Sequence, residues 1–75
     1  MKKDCVIINS IRHASTIRNK IYFNEIVKQC AKELDIPAFT IPSLSGVEWN
    51  RIKDLSNKAK DPADLMNEVK VMFHL

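Results

Sequence analysis

Apolar residues recur every three or four positions along most of this chain, which is the spacing of one face of an α-helix. The most regular stripe lies near the end and consists of Leu65, Met66, Val69, Met72 and Phe73. Asp61 and Pro62 precede it, and they are typical of a helix start because aspartate caps the helix and proline fits its first turn. The pattern predicts a helix from Asp61 into the C-terminus.

A second helix start lies at residues 45–48, whose sequence Ser-Gly-Val-Glu is typical of a capping box. In that arrangement the serine accepts from the amide of Glu48, and the glutamate accepts from the amide of Ser45. The apolar face that follows consists of Ile52, Leu55 and Ala59, with Val47 or Trp49 beside it. We expect this helix to fray from Ser56 towards Asp61.

A third helix is predicted from the stripe Ile26, Val27, Cys30, Ala31 and Leu34. Asn24 and Glu25 can open it, and Phe23 just outside can act as a hydrophobic staple. Pro37 closes it, because the residue before a proline is pushed out of the α region. The predicted helix therefore lies between Asn24 and Pro37.

The first third of the chain is compatible with two structures. One helical face would hold Ile7, Ile11, Ala14, Ile17 and Ile21. Alternatively, residues 5–8 are short and β-branched and residues 38–41 alternate in polarity, so the two segments could pair as strands. We favour the helix and predict an all-α fold, a compact bundle of three to four short helices. The alternative is an α+β fold with a minimal two-stranded sheet.

The connection at residues 36–45 is apolar for a loop, so its large side chains must fill the core or form an exposed patch. We expect Trp49 to lie in the core, but an exposed Trp49 beside this loop would be an anchor for a protein partner. The candidate partner surface comprises Phe39, Ile41, Leu44, Trp49 and Arg51. Burying the loop against a twofold mate would be favourable, so we also expect a homodimer.

With 75 residues, of which 45% are hydrophobic and 28% are charged, the chain is expected to form one domain spanning residues 1–75. The apolar run near the N-terminus is too short for a signal peptide, and no stretch is long enough to span a membrane. We expect a cytoplasmic protein without membrane contact, in which Cys5 and Cys30 are reduced and buried.

The sequence lacks the arrangements that most enzymes and cofactor sites need. Cys5, His13, Cys30 and His74 are too far apart for a zinc site, whose ligands come in close pairs. Cys30 lies in an apolar stripe, and the chain has neither a glycine-rich phosphate loop nor a carboxylate pair for acid–base work. We expect no catalysis, no cofactor and no metal.

Residues 25–41 superficially resemble the first helix and turn of a helix-turn-helix motif. Pro42 would then lie inside the recognition helix, where a proline removes an amide donor and costs about 3 kcal/mol. Residues 43–45 also lack the arginine, asparagine or glutamine that reads base edges. We therefore do not predict that motif.

The net charge of +3 comes from the first half, because residues 1–35 hold seven basic and four acidic residues and residues 36–75 hold five of each. A positive face of the first helix would comprise Arg12, His13, Arg18 and Lys20, which could contact nucleic acid. The excess is mild for a dedicated nucleic-acid binder. Our primary expectation is a non-enzymatic regulatory or adaptor protein that binds a protein partner, such as a phage or mobile-element factor acting on a host protein. A nucleic-acid-binding regulator is the alternative.

Overall fold

A computed structural model of the protein describes residues 2–74, with side chains from residue 6 onward. Over these residues the chain forms four helices: α1 (Lys2–Ile17), α2 (Lys20–Leu34), α3 (Gly46–Lys58) and α4 (Pro62–Met72). They pack into a bundle measuring 31 × 22 × 20 Å, in which α1 contacts each of the other helices. The predicted all-α bundle is confirmed. The α+β alternative is wrong, because residues 5–8 lie within α1 and residues 38–41 form no strand.

The first helix buries the stripe predicted for it only in part. Ile7, Ile11 and Ala14 are at most 1% exposed, whereas Ile17 and Ile21 are 47% and 73% exposed. The predicted face through Ile21 is therefore wrong at its end. The cause is a turn at Arg18, whose φ of 61° lies in the left-handed region and stops α1.

The second helix begins one turn earlier than predicted. Asn19 is its N-cap, since the Asn19 side chain accepts a hydrogen bond from the Tyr22 amide at 3.0 Å. The predicted start at Asn24 is wrong, and so is the role of Phe23 as an external staple. Phe23 lies inside α2 and is fully buried, with its ring 5.4 Å from the Trp49 ring in an edge-to-face arrangement.

The end of α2 is set by its own cap. Asp35 adopts a left-handed conformation with φ of 57°, and the Ile36 amide donates to the Ala31 carbonyl at 3.0 Å. This is the pattern of a Schellman motif, which closes a helix by satisfying its last carbonyls. The helix therefore ends at Leu34, ahead of Pro37 as predicted.

The starts of the last two helices are confirmed. The Ser45 amide donates to Glu48 Oε1 at 2.8 Å, and the Glu48 amide donates to Ser45 Oγ at 3.4 Å, which completes the capping box of α3. The Asp61 side chain accepts from the Ala63 amide at 3.0 Å and caps α4. The predicted fraying from Ser56 is wrong, because Ser56 is buried within α3 and α3 continues to Lys58.

The loop at residues 36–45 fills the core. Ile41 is fully buried, and Phe39 and Leu44 are half-buried against the same cluster. The Asn24 side chain holds the loop from α2: its Nδ2 donates to the Ile41 carbonyl at 3.2 Å, and its Oδ1 accepts from the Ile41 amide at 3.0 Å. The loop is also much longer than the three- or four-residue turn of a helix-turn-helix motif.

No helix within residues 2–74 has both the length and the apolar character needed to cross a membrane.

Candidate functional site

The residues predicted to contact a protein partner do not form one surface. Ile41 and Trp49 belong to the core, at 0% and 6% exposure. Phe39 and Leu44 are half-buried against the core. Arg51 is exposed on α3 and lines a groove shared with α4. The predicted surface therefore lacks two of its apolar anchors in this conformation.

The residues predicted to contact nucleic acid divide into two groups. Arg12 and Arg18 both reach across to α3, where they form hydrogen bonds. His13 instead lines a groove between α1 and α2, and Lys20 is the exposed first residue of α2. The structure therefore places both arginines against α3, whereas His13 and Lys20 make no hydrogen bond to that helix among the described residues.

The two arginines form a polar seam between α1 and α3. Arg12 Nη1 donates to Asn57 Oδ1 at 3.2 Å, and Arg12 Nη2 donates to Asn9 Oδ1. Arg18 Nη2 donates to Asn50 Oδ1 at 2.7 Å. The α1–α3 seam consists of Asn9, Arg12, Arg18, Asn50, Lys53 and Asn57.

Lys53 belongs to this seam by its position on α3. It lies three residues after Asn50 and four before Asn57, and residues at those spacings are neighbours on one helical face. Lys53 is exposed. Lys53 therefore shares a face of α3 with Asn50 and Asn57, and the exposed Asp54 lies at equivalent spacings from both asparagines.

The turn after α1 places Arg18 over the start of α3. In its left-handed conformation Arg18 leaves the α1 axis, and its Nη1 lies 3.6 Å from where a Cβ on Gly46 would be. At the end of α1 the hydroxyls of Ser15 and Thr16 both donate to the Arg12 carbonyl, at 2.6 and 3.1 Å. Arg18 therefore projects over the start of α3 from the turn that ends α1.

The seam differs electrostatically from the groove on the other side of α3. Its guanidinium groups bond to neutral amide oxygens, which hold the side chains in place without neutralising their charge. In the α3–α4 groove, of about 610 Å³, Arg51 and Lys58 lie together with Asp54 and Glu68. Opposite charges balance there, whereas the seam presents one sign.

Sequence reasoning missed four members of the seam, namely Asn9, Asn50, Lys53 and Asn57. The three that lie on α3 recur at helical spacing and form one polar face of that helix. The pattern is visible in the sequence, but its pairing with Arg12 and Arg18 becomes evident only when α1 and α3 are packed together.

The groove between α1 and α2 adjoins the seam, with which it shares Asn9, and is lined by Val6, Asn9, Ser10, His13, Tyr22 and Ile26. Its volume is about 330 Å³, and no Asp, Glu, Lys or Arg side chain lines it. Val6 is 60% exposed and Tyr22 is 38% exposed at its rim. This groove offers exposed apolar side chains, which the sequence led us to expect on the loop at 36–45 as a contact surface for a protein partner.

The residues considered for metal binding or catalysis are dispersed. No group of three or more His, Cys, Asp or Glu side chains among the described residues is placed to hold a metal ion. His74 lines the α3–α4 groove, His13 lines the α1–α2 groove, and Cys30 is buried in the core. The side chain of Cys5, predicted to be buried, lies outside the described residues.

Burial raises the pKa of the Cys30 thiol from 9.0 to about 11, with a further contribution from the nearby Glu33 carboxylate. Because the folded state holds this proton more tightly than the unfolded state, the linked stability is present below pH 9 and declines as the pH rises towards 11. In a Cys5→Ala background we expect iodoacetamide to alkylate Cys30 far more slowly in buffer at pH 8 than in urea. Equal rates, measured by mass spectrometry, would contradict this.

No protein-family model matches this chain, and neither does any curated protein or solved structure. A function for the protein must therefore come from the geometry and charge of its surfaces.

Proposed function

We propose that this protein is a non-enzymatic binding protein whose partner is nucleic acid, contacted through phosphates at the α1–α3 seam. The observation that carries this proposal is the pair of arginines, Arg12 and Arg18, held by the neutral side chains of Asn57 and Asn50. The proposal adopts the alternative predicted from the sequence, a protein that binds nucleic acid. It replaces His13 and Lys20 as phosphate contacts by Lys53 and the asparagines of the seam.

The chemistry of the seam suits phosphate groups. A guanidinium has five N–H donors, so Arg12 and Arg18 keep donors for a ligand after bonding to the asparagines. Each asparagine that accepts through Oδ1 also keeps its Nδ2 hydrogens for donation. Phosphate oxygens accept bonds from arginine, lysine and asparagine, which are the residue types the seam presents.

Preorganisation further favours this role. An arginine side chain loses about 2 kcal/mol of rotamer entropy when it is fixed. In the seam part of that loss has already occurred on folding, because Asn57 and Asn50 fix the guanidinium groups. Ligand binding therefore has less side-chain entropy to overcome. Three cations nevertheless support only modest affinity, with dissociation constants of about 10⁻⁴ to 10⁻⁶ M at physiological salt.

Binding is favoured over catalysis because of where the reactive groups lie. Cys30 is 5% exposed, and its raised pKa keeps the thiol protonated and weakly nucleophilic. His13 and His74 line different grooves, so neither histidine can serve Cys30 as a base.

The proposal is tested by removing the two seam charges. Arg12→Gln/Arg18→Gln removes both charges but keeps a polar side chain at each surface position, so the fold should persist. We expect weaker binding to a labelled nucleic-acid probe, and a plot of log affinity against log salt that is about 2 units shallower. Fluorescence anisotropy at several salt concentrations gives both quantities.

The matched control is Lys28→Gln/Lys32→Gln, which removes two charges from exposed positions on α2. It should leave the salt slope close to that of the parent protein. Equal losses in the two double variants would mean that net charge, and not the seam, governs binding. Parent protein that binds no probe even at low salt would also contradict the proposal.

A protein partner is the second candidate, and the α1–α2 groove is the observation that favours it. Cores of protein interfaces are depleted in charge and enriched in tyrosine, which describes a groove flanked by Val6 and Tyr22. Under this alternative, Val6→Asp should abolish capture of one defined protein from nuclease-treated lysate, and Arg12→Gln/Arg18→Gln should not. The reverse pattern would favour the seam.

A further inference from the structure

We infer that the ligand of the α1–α3 seam is a single-stranded nucleic acid, one base of which lies in the α1–α2 groove against the Tyr22 ring. This inference rests on the proposed function and adds a contact for a base to the contacts for the phosphates. It is carried by three features: the side chain that the seam and the groove share, the lining of the groove, and the separation of the two arginine anchors.

Asn9 joins the seam to the groove. Its Oδ1 accepts a hydrogen bond from Arg12 Nη2, and the same residue lines the α1–α2 groove together with Tyr22. The two surfaces are therefore one side chain apart. Because a single sugar joins each base to its phosphate, a strand whose phosphate contacts Arg12 can place a base at the groove.

The walls of the groove present the groups that bind unpaired bases. Each helix contributes residues at the spacing of one helical face, namely Val6, Asn9, Ser10 and His13 on α1 and Tyr22 and Ile26 on α2. Tyr22 is 38% exposed, so part of its ring is accessible to a ligand. Unpaired bases stack on tyrosine and histidine rings, and asparagine and serine bond to base edges. The groove therefore combines an accessible ring with apolar contacts and hydrogen-bonding partners.

The size and charge of the groove also suit a base. Its volume of about 330 Å³ lies at the lower end of the range for small-ligand sites, which is about 300–1,000 Å³. Neither aspartate nor glutamate lines it, so no carboxylate in its lining would repel the phosphate attached to the base. Asp54 of α3 instead lines the α3–α4 groove, together with Arg51 and Lys58.

A strand fits these features better than a duplex or a free nucleotide. In a duplex each base is paired and stacked, so it enters a protein groove only after it is flipped out, which costs energy. A free nucleotide could occupy the groove but would contact only part of the seam. The arginines are held at Asn50 and Asn57, which are seven residues and therefore roughly 10 Å apart along α3. Contact with both arginines favours a ligand with more than one phosphate.

The test measures fluorescence anisotropy with three labelled probes of equal length: a single strand, its duplex, and an abasic strand that keeps the phosphates but lacks the bases. We expect the single strand to bind about tenfold more tightly than the other two, which is within the range for one stacked base. Tyr22→Ala should bind the single strand and the abasic strand equally. Tyr22→Phe, which keeps the ring, should bind all three probes as the parent does.

The salt dependence separates the base contact from the phosphate contacts. Tyr22→Ala should weaken binding by the same factor at every salt concentration, because stacking releases no counterions. Arg12→Gln/Arg18→Gln should instead make the salt slope shallower. The matched control is Ile21→Ala, since Ile21 is 73% exposed beside Tyr22 in the sequence but lines a different groove. This control should bind every probe as the parent does, and circular dichroism should show parent-like helicity in each variant.

The outcomes separate this inference from the proposed function. If Arg12→Gln/Arg18→Gln weakens binding but the abasic strand or the duplex binds as tightly as the single strand, the seam binds phosphates and the inference is wrong. Parent-like binding of the single strand by Tyr22→Ala would have the same meaning. A nucleoside monophosphate that competes as well as the strand would assign the groove to a free nucleotide and also overturn the inference. If no probe binds, or if the arginine variant binds as the parent does, the proposed function fails and the inference fails with it.

Discussion

Replacement of Phe23 by alanine is expected to lower the free energy of unfolding by about 3–5 kcal/mol. Phe23 is completely buried, and its ring meets the Trp49 ring edge-to-face at 5.4 Å. Such aromatic pairs add about 0.5–1.5 kcal/mol beyond the area they bury. Because the total stability of a domain this small is of the order of 5–10 kcal/mol, this loss would remove a large share of it. Urea denaturation followed by circular dichroism measures the loss.

Tyr22→Ala is the matched control, because Tyr22 is the neighbouring aromatic residue on α2 and is 38% exposed. Its loss should cost less than about 1 kcal/mol. The comparison also tests where α2 begins, since a helix opening at Asn24 would place Phe23 outside it. Equal losses for the two variants, or a Phe23→Ala protein as stable as the parent, would contradict the described packing.

Ile41→Ala is expected to have the next largest effect, a loss of about 2–5 kcal/mol. Ile41 is fully buried, although it lies in a loop, and both of its backbone polar groups bond to Asn24. A cavity at this position would weaken the attachment of the loop to α2. Thermal unfolding monitored by circular dichroism should show a clearly lowered midpoint.

Leu44→Ala provides the comparison for Ile41, because Leu44 lies in the same loop but is only half-buried. We expect its cost to be less than half that of Ile41→Ala. If Ile41→Ala left stability unchanged and instead abolished binding to a protein, the loop would be a contact surface after all. The core position of Ile41 would then be contradicted.

The two helix starts with local caps could be predicted from the sequence. In α3 and α4 the capping residues lie within three positions of the amides they bind, so the signal is contained in a few residues. The start of α2 could not be predicted in this way. The apolar spacing from Ile7 to Ile21 continues through the turn at Arg18, and Asn24 resembles a cap although it bonds to Ile41.

Only part of the candidate site could be predicted from the sequence. Arg12 and Arg18 could be selected by charge alone. Their partners could not, because Asn57 lies 45 residues from Arg12 and Asn50 lies 32 residues from Arg18. Those pairs depend on how α1 packs against α3, which periodicity does not determine. The loop was ambiguous for a related reason: apolar residues are compatible with a core or an interface until their burial is known.

The most direct test of the α1–α3 seam is an NMR titration of isotope-labelled protein with a short single-stranded oligonucleotide at low salt. We expect shifts of the side-chain N–H signals of Arg12 and Arg18 and of the side-chain amides of Asn50 and Asn57. Signals from Lys28 and Lys32 on α2 should stay in place. Shifts confined to the α1–α2 groove around Val6 and Tyr22, or no shifts at saturating oligonucleotide, would contradict the assignment of the seam as the nucleic-acid interface.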